Sequence, residues 1–319
     1  MSDADLSYAD CRLCPRACGV DRHTAAGFCG ETETARVAWS GLHFGEEPPI
    51  SAAEGSGTVF FCGCNLGCIF CQNRGISRPH SQGRVFSETE LAALFLRLQE
   101  AGAENVNLVT GTPHAPLIIA ALKRAKNGGL TIPVVWNSSG YETPETLAAL
   151  NEVVDIYLAD FKTADRESAQ RLFNAADYPK TAAAAIRAMC LAKPPLFADF
   201  YNDRLKLFHP LMKQGVIVRH LALPGAAADS QTVIDRYERD FRPLGAVFSL
   251  LTDYLPFPEL PPPLNRRLSP SEETILKENL IQKGWDDCFF QESEECAVDW
   301  TPDFTRREPF PAGFSKAVF

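Results

Sequence analysis

Cys64, Cys68 and Cys71 stand with three and then two residues between them in the run Phe61-Cys62-Gly63-Cys64-Asn65-Leu66-Gly67-Cys68-Ile69-Phe70-Cys71-Gln72-Asn73. Three thiolates on one loop can ligate three irons of a cubane four-iron, four-sulfur cluster. With no fourth cysteine in the motif, one iron stays open to a non-protein ligand. An open iron is a place for chemistry. Zinc and a closed ferredoxin-type cluster compete, but zinc sites favour paired Cys-x2-Cys with a fourth ligand, and a closed cluster needs a fourth cysteine. Cys62 precedes Cys64 by two residues on an extended run, where alternation points it to the same face further down, so it reads as a small buried residue.

A second group, Cys11, Cys14, Cys18 and Cys29, lies in Cys11-Arg12-Leu13-Cys14-Pro15-Arg16-Ala17-Cys18 and Gly27-Phe28-Cys29-Gly30. Four thiols make a complete tetrahedral or cubane ligand set. Either an iron–sulfur cluster, which could relay electrons to the first, or a structural zinc suits it, and in both cases ligation energy would be folding energy. Eight of the eleven cysteines fall in the first quarter of the 319 residues, and an odd total in a reducing compartment favours metal ligation over disulfides. Cys190, Cys288 and Cys296 have no ligand spacing and read as ordinary cysteines.

Charge and hydropathy narrow the function classes. With 31 Lys plus Arg against 40 Asp plus Glu, the net charge of −9 argues against a nucleic-acid-binding surface. The start of the chain lacks a basic stretch followed by an apolar run, and no apolar run approaches the ~20 residues of a membrane helix. A cytoplasmic protein without a membrane partner is expected.

These cysteines need elements to hold them. Residues 1–57 carry no clear helical or strand period and read as a Cys-rich metal-binding segment. Short apolar runs then alternate with amphipathic stretches over residues 58–255, the pattern of a βα-repeating α/β protein with a parallel sheet. Strands are expected at Thr58–Phe61, Asn105–Val109, Pro133–Trp136, Asp155–Ala159, Val216–Leu221 and Ala246–Leu251. A capping box at Ser87 and Glu90 opens a helix through Gln99, and Thr143 with Pro144 opens another. Further helices are expected over Pro116–Lys126, Asp165–Asn174, Thr181–Leu191 and Gln231–Arg239. Six such strands suit a partial (β/α) barrel with its site at the strand C-terminal ends, or a doubly wound open sheet. Residues 256–319 read as a Pro-rich stiff linker, a helix capped by Ser269 and Pro270, and a tail with little assignable structure beyond Gln291.

The three-cysteine spacing, with Phe70 before the last cysteine and a strand before the loop, resembles the signature of the radical S-adenosylmethionine (SAM) superfamily. The resemblance implies a 4Fe-4S cluster whose open iron is chelated by SAM, and reductive cleavage of SAM to methionine and a 5′-deoxyadenosyl radical that abstracts a substrate hydrogen. It extends from Thr58 to about Tyr254 towards the pyruvate formate-lyase activating enzyme branch. Asn137-Ser138-Ser139-Gly140-Tyr141 is similar to that branch's Asp-Thr-Asn-Gly, and Asp160-Phe161-Lys162 to its Asp-Leu-Lys. Arg219 stands where the branch has the Arg of Arg-x-Val-Val-x-Pro-Gly. The resemblance implies that Phe70, Asn137, Ser139, Asp160, Lys162 and Arg219 lie at the cofactor.

Two segments depart from the pattern. Gly111-Thr112-Pro113-His114 replaces Gly-Gly-Glu-Pro, leaving Gly111 and Thr112 to meet the SAM ammonium through backbone carbonyls. Thr252-Asp253-Tyr254-Leu255-Pro256 replaces a segment where activases present a His. His114 and His220 are candidates for the barrel mouth as proton donors, against the simpler reading that they satisfy local hydrogen bonds. The resemblance further implies an oxidoreductase reaction fed by a donor such as flavodoxin or ferredoxin, and a protein substrate if the activase likeness extends to the glycyl-radical partner. A non-catalytic iron–sulfur carrier or scaffold is the alternative from another class.

Overall fold

The computed structural model describes residues 6–79, 81–202, 207–285, 288–291 and 301–318. Cys296 and His80 lie outside them. The strands are β1 (Ala35–His43), β2 (Ser56–Phe61), β3 (Arg84–Phe86), β4 (Val106–Val109), β5 (Val134–Ser138), β6 (Ile156–Asp160), β7 (Leu196–Asn202), β8 (Leu207–Leu221), β9 (Val247–Leu251), β10 (Cys288–Gln291) and β11 (Ser315–Ala317). The helices are α1 (Pro48–Ser51), α2 (Arg74–Ser77), α3 (Glu88–Glu100), α4 (Ala115–Asn127), α5 (Pro144–Leu150), α6 (Arg166–Phe173), α7 (Tyr178–Ala192), α8 (Ala227–Asp240) and α9 (Pro270–Gln282).

All six expected strands form, and they pair in parallel in chain order, β2-β4-β5-β6-β8-β9, with β10 as a further parallel strand. A doubly wound sheet reverses its strand order at a switch point, and this one does not. The sheet also has free ends, β10 and β11, so the architecture is an unclosed (β/α) barrel. Strand faces divide cleanly: Val59, Phe61, Leu108, Trp136, Tyr157, Val218 and Phe248 pack with the helices in the main core. Val135, Ile156, Leu158, Met212 and Ile217 form a separate cluster on the inner face.

The helices begin where their caps dictate. Ser87 and Glu90 make the expected capping box on α3, Ser269 and Glu272 a second on α9, and Thr143 caps α5 by accepting from the Thr146 N–H. Each such cap contributes about 1 kcal/mol. Asn174 closes α6 in the left-handed conformation, φ 52°.

Three expectations need correction. The first 57 residues are not wholly irregular, because β1 runs antiparallel to β2 over Val37–His43. It is buried on both faces along most of its length, which erases the alternation that marks a strand. The Pro-rich stretch after residue 255, expected as a stiff linker, packs against the rest of the chain: Phe257 and Leu264 are buried and Arg74 stacks 3.7 Å over the Phe257 ring. Finally, the tail returns to the sheet, where β11 pairs antiparallel with β1. A Cβ at Gly41 would lie 2.4 Å from the Lys316 carbonyl oxygen, so this contact requires glycine there.

Candidate active site at the strand ends

The three-cysteine loop leaves β2 through a turn built on Gly63 (φ 77°) and Gly67 (φ 76°). Gly63 also has no room for a side chain, since a Cβ would sit 2.8 Å from the Cys29 carbonyl oxygen. The loop is held by its own polar contacts. The Leu66 N–H points at Cys64 Sγ (3.3 Å), Ser77 Oγ donates to Cys71 Sγ (3.4 Å), and Arg78 donates to the Cys68 carbonyl (2.8 Å). Asn65 Nδ2 donates to the Tyr141 carbonyl (2.7 Å), tying the loop to the segment after β5. Burial pushes the Cys68 and Cys71 thiols up, with Lys162 opposing it in both.

Across the barrel, register brings the strand-end residues together. Asp160, the last residue of β6, pairs with Arg219 near the C-terminal end of β8, and Arg219 with Ser249 in the middle of β9. Lys162 Nζ donates to Asp160 Oδ2 (2.6 Å), Arg219 Nε to Asp160 Oδ1 (3.0 Å), and Arg219 Nη2 to Asn137 Oδ1. Burial would raise the Asp160 carboxyl, but the Lys162 and Arg219 cations outweigh it and hold it below the ordinary range. Tyr178 OH accepts from the Lys162 N–H (3.0 Å) and donates to the Ser139 carbonyl (2.9 Å), locking the ends of β5 and β6 together.

Two residues that sequence reasoning missed complete this network. Glu46, in the connection from β1 to β2, accepts from Asn107 Nδ2 (2.9 Å) and pairs with Arg219 Nη1 (3.4 Å), its side chain only 8% exposed. Glu47 follows it, and burial raises both carboxyls against the pull of Arg219. Neither sits in a motif; only folding of the β1–β2 connection into the barrel reveals them. Glu47 Oε2, Asn107 Oδ1 and His43 Nε2 are buried without hydrogen-bond partners. Polar atoms so buried cost free energy unless a ligand or water meets them.

The other expected site residues have packing and hydrogen-bond partners of their own. Phe70 is buried, packing edge-on to Phe173 and Tyr254. Gly111 lies against Trp136, which a Cβ would approach to 2.7 Å, and Thr112 Oγ1 donates to Glu142 Oε1 (2.8 Å) behind the sheet rather than into the lumen. Ser139 Oγ is buried and unpartnered. Thr110, just ahead of this segment, holds φ 61°, a strained conformation for a β-branched residue and one associated with functional sites. His114 and His220 do not face the mouth. His114 Nε2 meets the Cys62 carbonyl (3.0 Å), and His220 lies between the Phe161 carbonyl and Ser230 Oγ (3.0 and 2.9 Å). Burial lowers both, His114 to about 3, so they serve as neutral packing residues. Cys62 is buried with its thiol 3.4 Å from the Gln82 carbonyl.

The first cysteine group lies beside the loop. Cys11 and Cys29 are buried, Cys14 half-buried and Cys18 exposed. Among the described residues no three His, Cys, Asp or Glu side chains are gathered tightly enough to hold a single metal ion, the three-cysteine loop included. A cubane instead takes each cysteine on its own iron, a wider donor set, and the two glycine-built turns and the thiol-directed donors of the loop fit that group.

Comparison with known proteins bears on this arrangement. The sequence profile of the radical SAM superfamily matches residues 58–199. An uncharacterised protein of Methanocaldococcus jannaschii is 31% identical over 275 residues, 83% of this chain and 72% of that protein. The chain belongs to the radical SAM superfamily. Two solved structures are more distantly similar. Streptococcus suis SuiB is 9% identical over 72% of this chain, with a TM-score of 0.44, and this chain spans 47% of its length. A domain of the pyruvate-formate lyase-activating enzyme of Bacteroides vulgatus is 16% identical over 56% of this chain and 92% of that domain, with a TM-score of 0.38. The matched radical SAM region contains the three-cysteine loop, Asn137, Asp160 and Lys162; Arg219 lies beyond it, joined by strand register. No helix among the described residues is long and apolar enough to cross a membrane.

Proposed function

We propose that this radical SAM protein is an enzyme that binds a 4Fe-4S cluster on Cys64, Cys68 and Cys71, cleaves SAM reductively and directs the resulting radical at a substrate held in the barrel lumen. The observation that carries the reading is that Asn65 Nδ2 of the three-cysteine loop donates to the Tyr141 carbonyl (2.7 Å), in the segment that follows Asn137, because it joins the loop to the Asp160–Arg219–Asn137 network in one site. When bound, the cluster and SAM supply the one-electron cleavage chemistry. The protein's own residues then have defined tasks. Arg219 and Asn137 present donors suited to a carboxylate or ribose hydroxyl, and Asp160 keeps both flanking cations in place. Buried acceptors of the lumen, Glu47 Oε2 and Asn107 Oδ1, suit the donors of a substrate or cofactor.

The activating-enzyme branch is the nearest reading of the strand-end motifs, with flavodoxin or ferredoxin as electron donor. Within it the tail favours a compact substrate or a thin peptide segment. Phe304 and Phe310 stand on Phe60, at 5.3 and 5.5 Å between ring centroids, and Phe310 on Trp39 and His43, so a folded glycyl loop entering there would have to displace residues 301–318. The test is 5′-deoxyadenosine formation from SAM by the anaerobically reconstituted, dithionite-reduced chain, beside Cys68→Ala. Product from the wild type that vanishes in the variant is expected. Absence of product from protein shown to contain its cluster, with or without candidate substrates, favours the carrier or scaffold reading.

A further inference from the structure

The four N-terminal thiols have no part in the chemistry above, yet their surroundings are those of an anionic group. Arg22 is 1% exposed and donates to the carbonyl oxygens of Glu31 (3.1 Å), Pro113 (2.6 Å) and Thr32, with Nη1 3.9 Å from Cys11 Sγ. No carboxylate among the described residues pairs with it. A buried guanidinium among neutral partners is costly, and protonated thiols would leave it so. Four thiolates around a cubane core give a net negative group that compensates it.

Space and contact point the same way. A Cβ at Gly27 would stand 3.4 Å from Cys18 Sγ and 3.6 Å from Cys29 Sγ, so these two sulfurs are no more than about 7 Å apart. The group also touches the three-cysteine loop directly. The Cys64 N–H donates to the Cys29 carbonyl (3.3 Å), while Arg16, between Cys14 and Cys18, donates to the Asn65 and Leu66 carbonyls (2.9 Å each). The two loops are therefore hydrogen-bonded to one another along their backbones and through Arg16. A zinc ion would meet the charge but would give this contact nothing to transmit.

We propose that Cys11, Cys14, Cys18 and Cys29 hold a second four-iron, four-sulfur cluster, coupled to the first through the Cys29–Cys64 contact, and that exposed Cys18 marks the side where electrons enter. This rests on the reading that Cys64, Cys68 and Cys71 carry the first cluster. A low-potential one-electron carrier protein is oxidised as the N-terminal cluster passes from 2+ to 1+. That cluster returns to 2+ as the first cluster takes the same electron, and no bond or proton changes hands between them.

The experiment compares metal content and low-temperature electron paramagnetic resonance of the full chain, reconstituted anaerobically and reduced with dithionite, for wild type, Cys14→Ala/Cys18→Ala and Cys68→Ala. The wild type should hold about eight irons, two cubanes' worth, and the Cys14→Ala/Cys18→Ala variant about half as many. The wild-type spectrum should carry broadening from two interacting spins that neither variant shows. About four irons with one zinc, or four irons and no second metal, overturns the proposal, as does an eight-iron protein whose spectrum is the sum of the two variants' spectra. Addition of SAM separates the two readings: in Cys14→Ala/Cys18→Ala it should still perturb the remaining signal. No perturbation there sinks the SAM assignment, whatever the iron count. If the double variant does not fold, Cys18→Ser, at the exposed position, is read the same way through loss of the broadening.

Discussion

Glu142 should make the stability of the fold depend on pH in a way that one substitution removes. Its carboxyl is 1% exposed; Oε1 accepts from Thr112 Oγ1 (2.8 Å) and Trp136 Nε1 (3.3 Å), and Oε2 has no partner. Burial pushes it up to about 7 from 4.5, the Thr112 and Trp136 hydrogen bonds opposing but not cancelling the rise. A carboxyl whose folded value is raised contributes fully below its unfolded value, and the contribution is lost as pH rises through the folded one. The window is therefore about pH 4.5 to 7, and the loss across it is about 3 kcal/mol. Glu142→Gln keeps the acceptor but cannot ionise, while its amide N–H2 is left without a buried acceptor at a cost of about 1–3 kcal/mol. Anaerobic urea unfolding, followed by tryptophan fluorescence at pH 5 and pH 8, should find the variant less stable than wild type at pH 5. The gap should close or reverse at pH 8. The reasoning is refuted if both proteins lose stability in parallel between the two pH values, since cluster loss and other titrations are common to both.

Two further outcomes follow from the lumen. Arg219→Lys keeps the charge but loses the fork that reaches Asp160, Asn137 and Glu46 at once, so SAM affinity, measured by equilibrium dialysis on the cluster-loaded protein, should fall by about tenfold or more; unchanged affinity would remove Arg219 from the cofactor site. Phe310→Ala deletes the ring that lies on His43, Trp39 and Phe60, and should lower stability by about 1–3 kcal/mol and shift tryptophan emission to the red as Trp39 meets water. An unshifted spectrum would mean that the tail does not cover Trp39 in solution.

The βα barrel was legible because its signals are local. Six apolar runs, a capping box at Ser87 and a threonine cap at Thr143 each report on their own few residues, and all formed where expected. The three-cysteine loop was legible for the same reason. What stayed hidden depends on contacts distant in sequence. β1 lacks alternation because both its faces are covered, β11 is three residues whose partner lies more than 270 positions earlier, and Glu46 gains its meaning only from Arg219, 173 residues away. The histidines fail in the opposite sense: His220 adjoins a site residue on its strand, and that adjacency turns it to the outer face, because neighbours on a strand point opposite ways.

The N-terminal segment does more than set four cysteines beside the barrel. It lays Cys29 against Cys64, continues as β1 along the edge of β2, and then enters the lumen, where Glu46 reaches Arg219 and Ile50 joins the inner apolar cluster with Val135, Ile156 and Ile217. One stretch of chain thus touches the cysteine loop, the strand-end cations and the barrel floor. Any group that orders Cys11–Cys29 biases the position of all three, so the cluster proposed there would have a structural hold on the site even when no electron is moving. Because Arg16 and Arg22 hold that stretch through backbone carbonyls of the loop, of Phe173 and of Pro113, loss of the proposed cluster should loosen the strand-end site before it unfolds the barrel, whose helices and parallel strands rest on an apolar core to which residues 11–29 do not contribute.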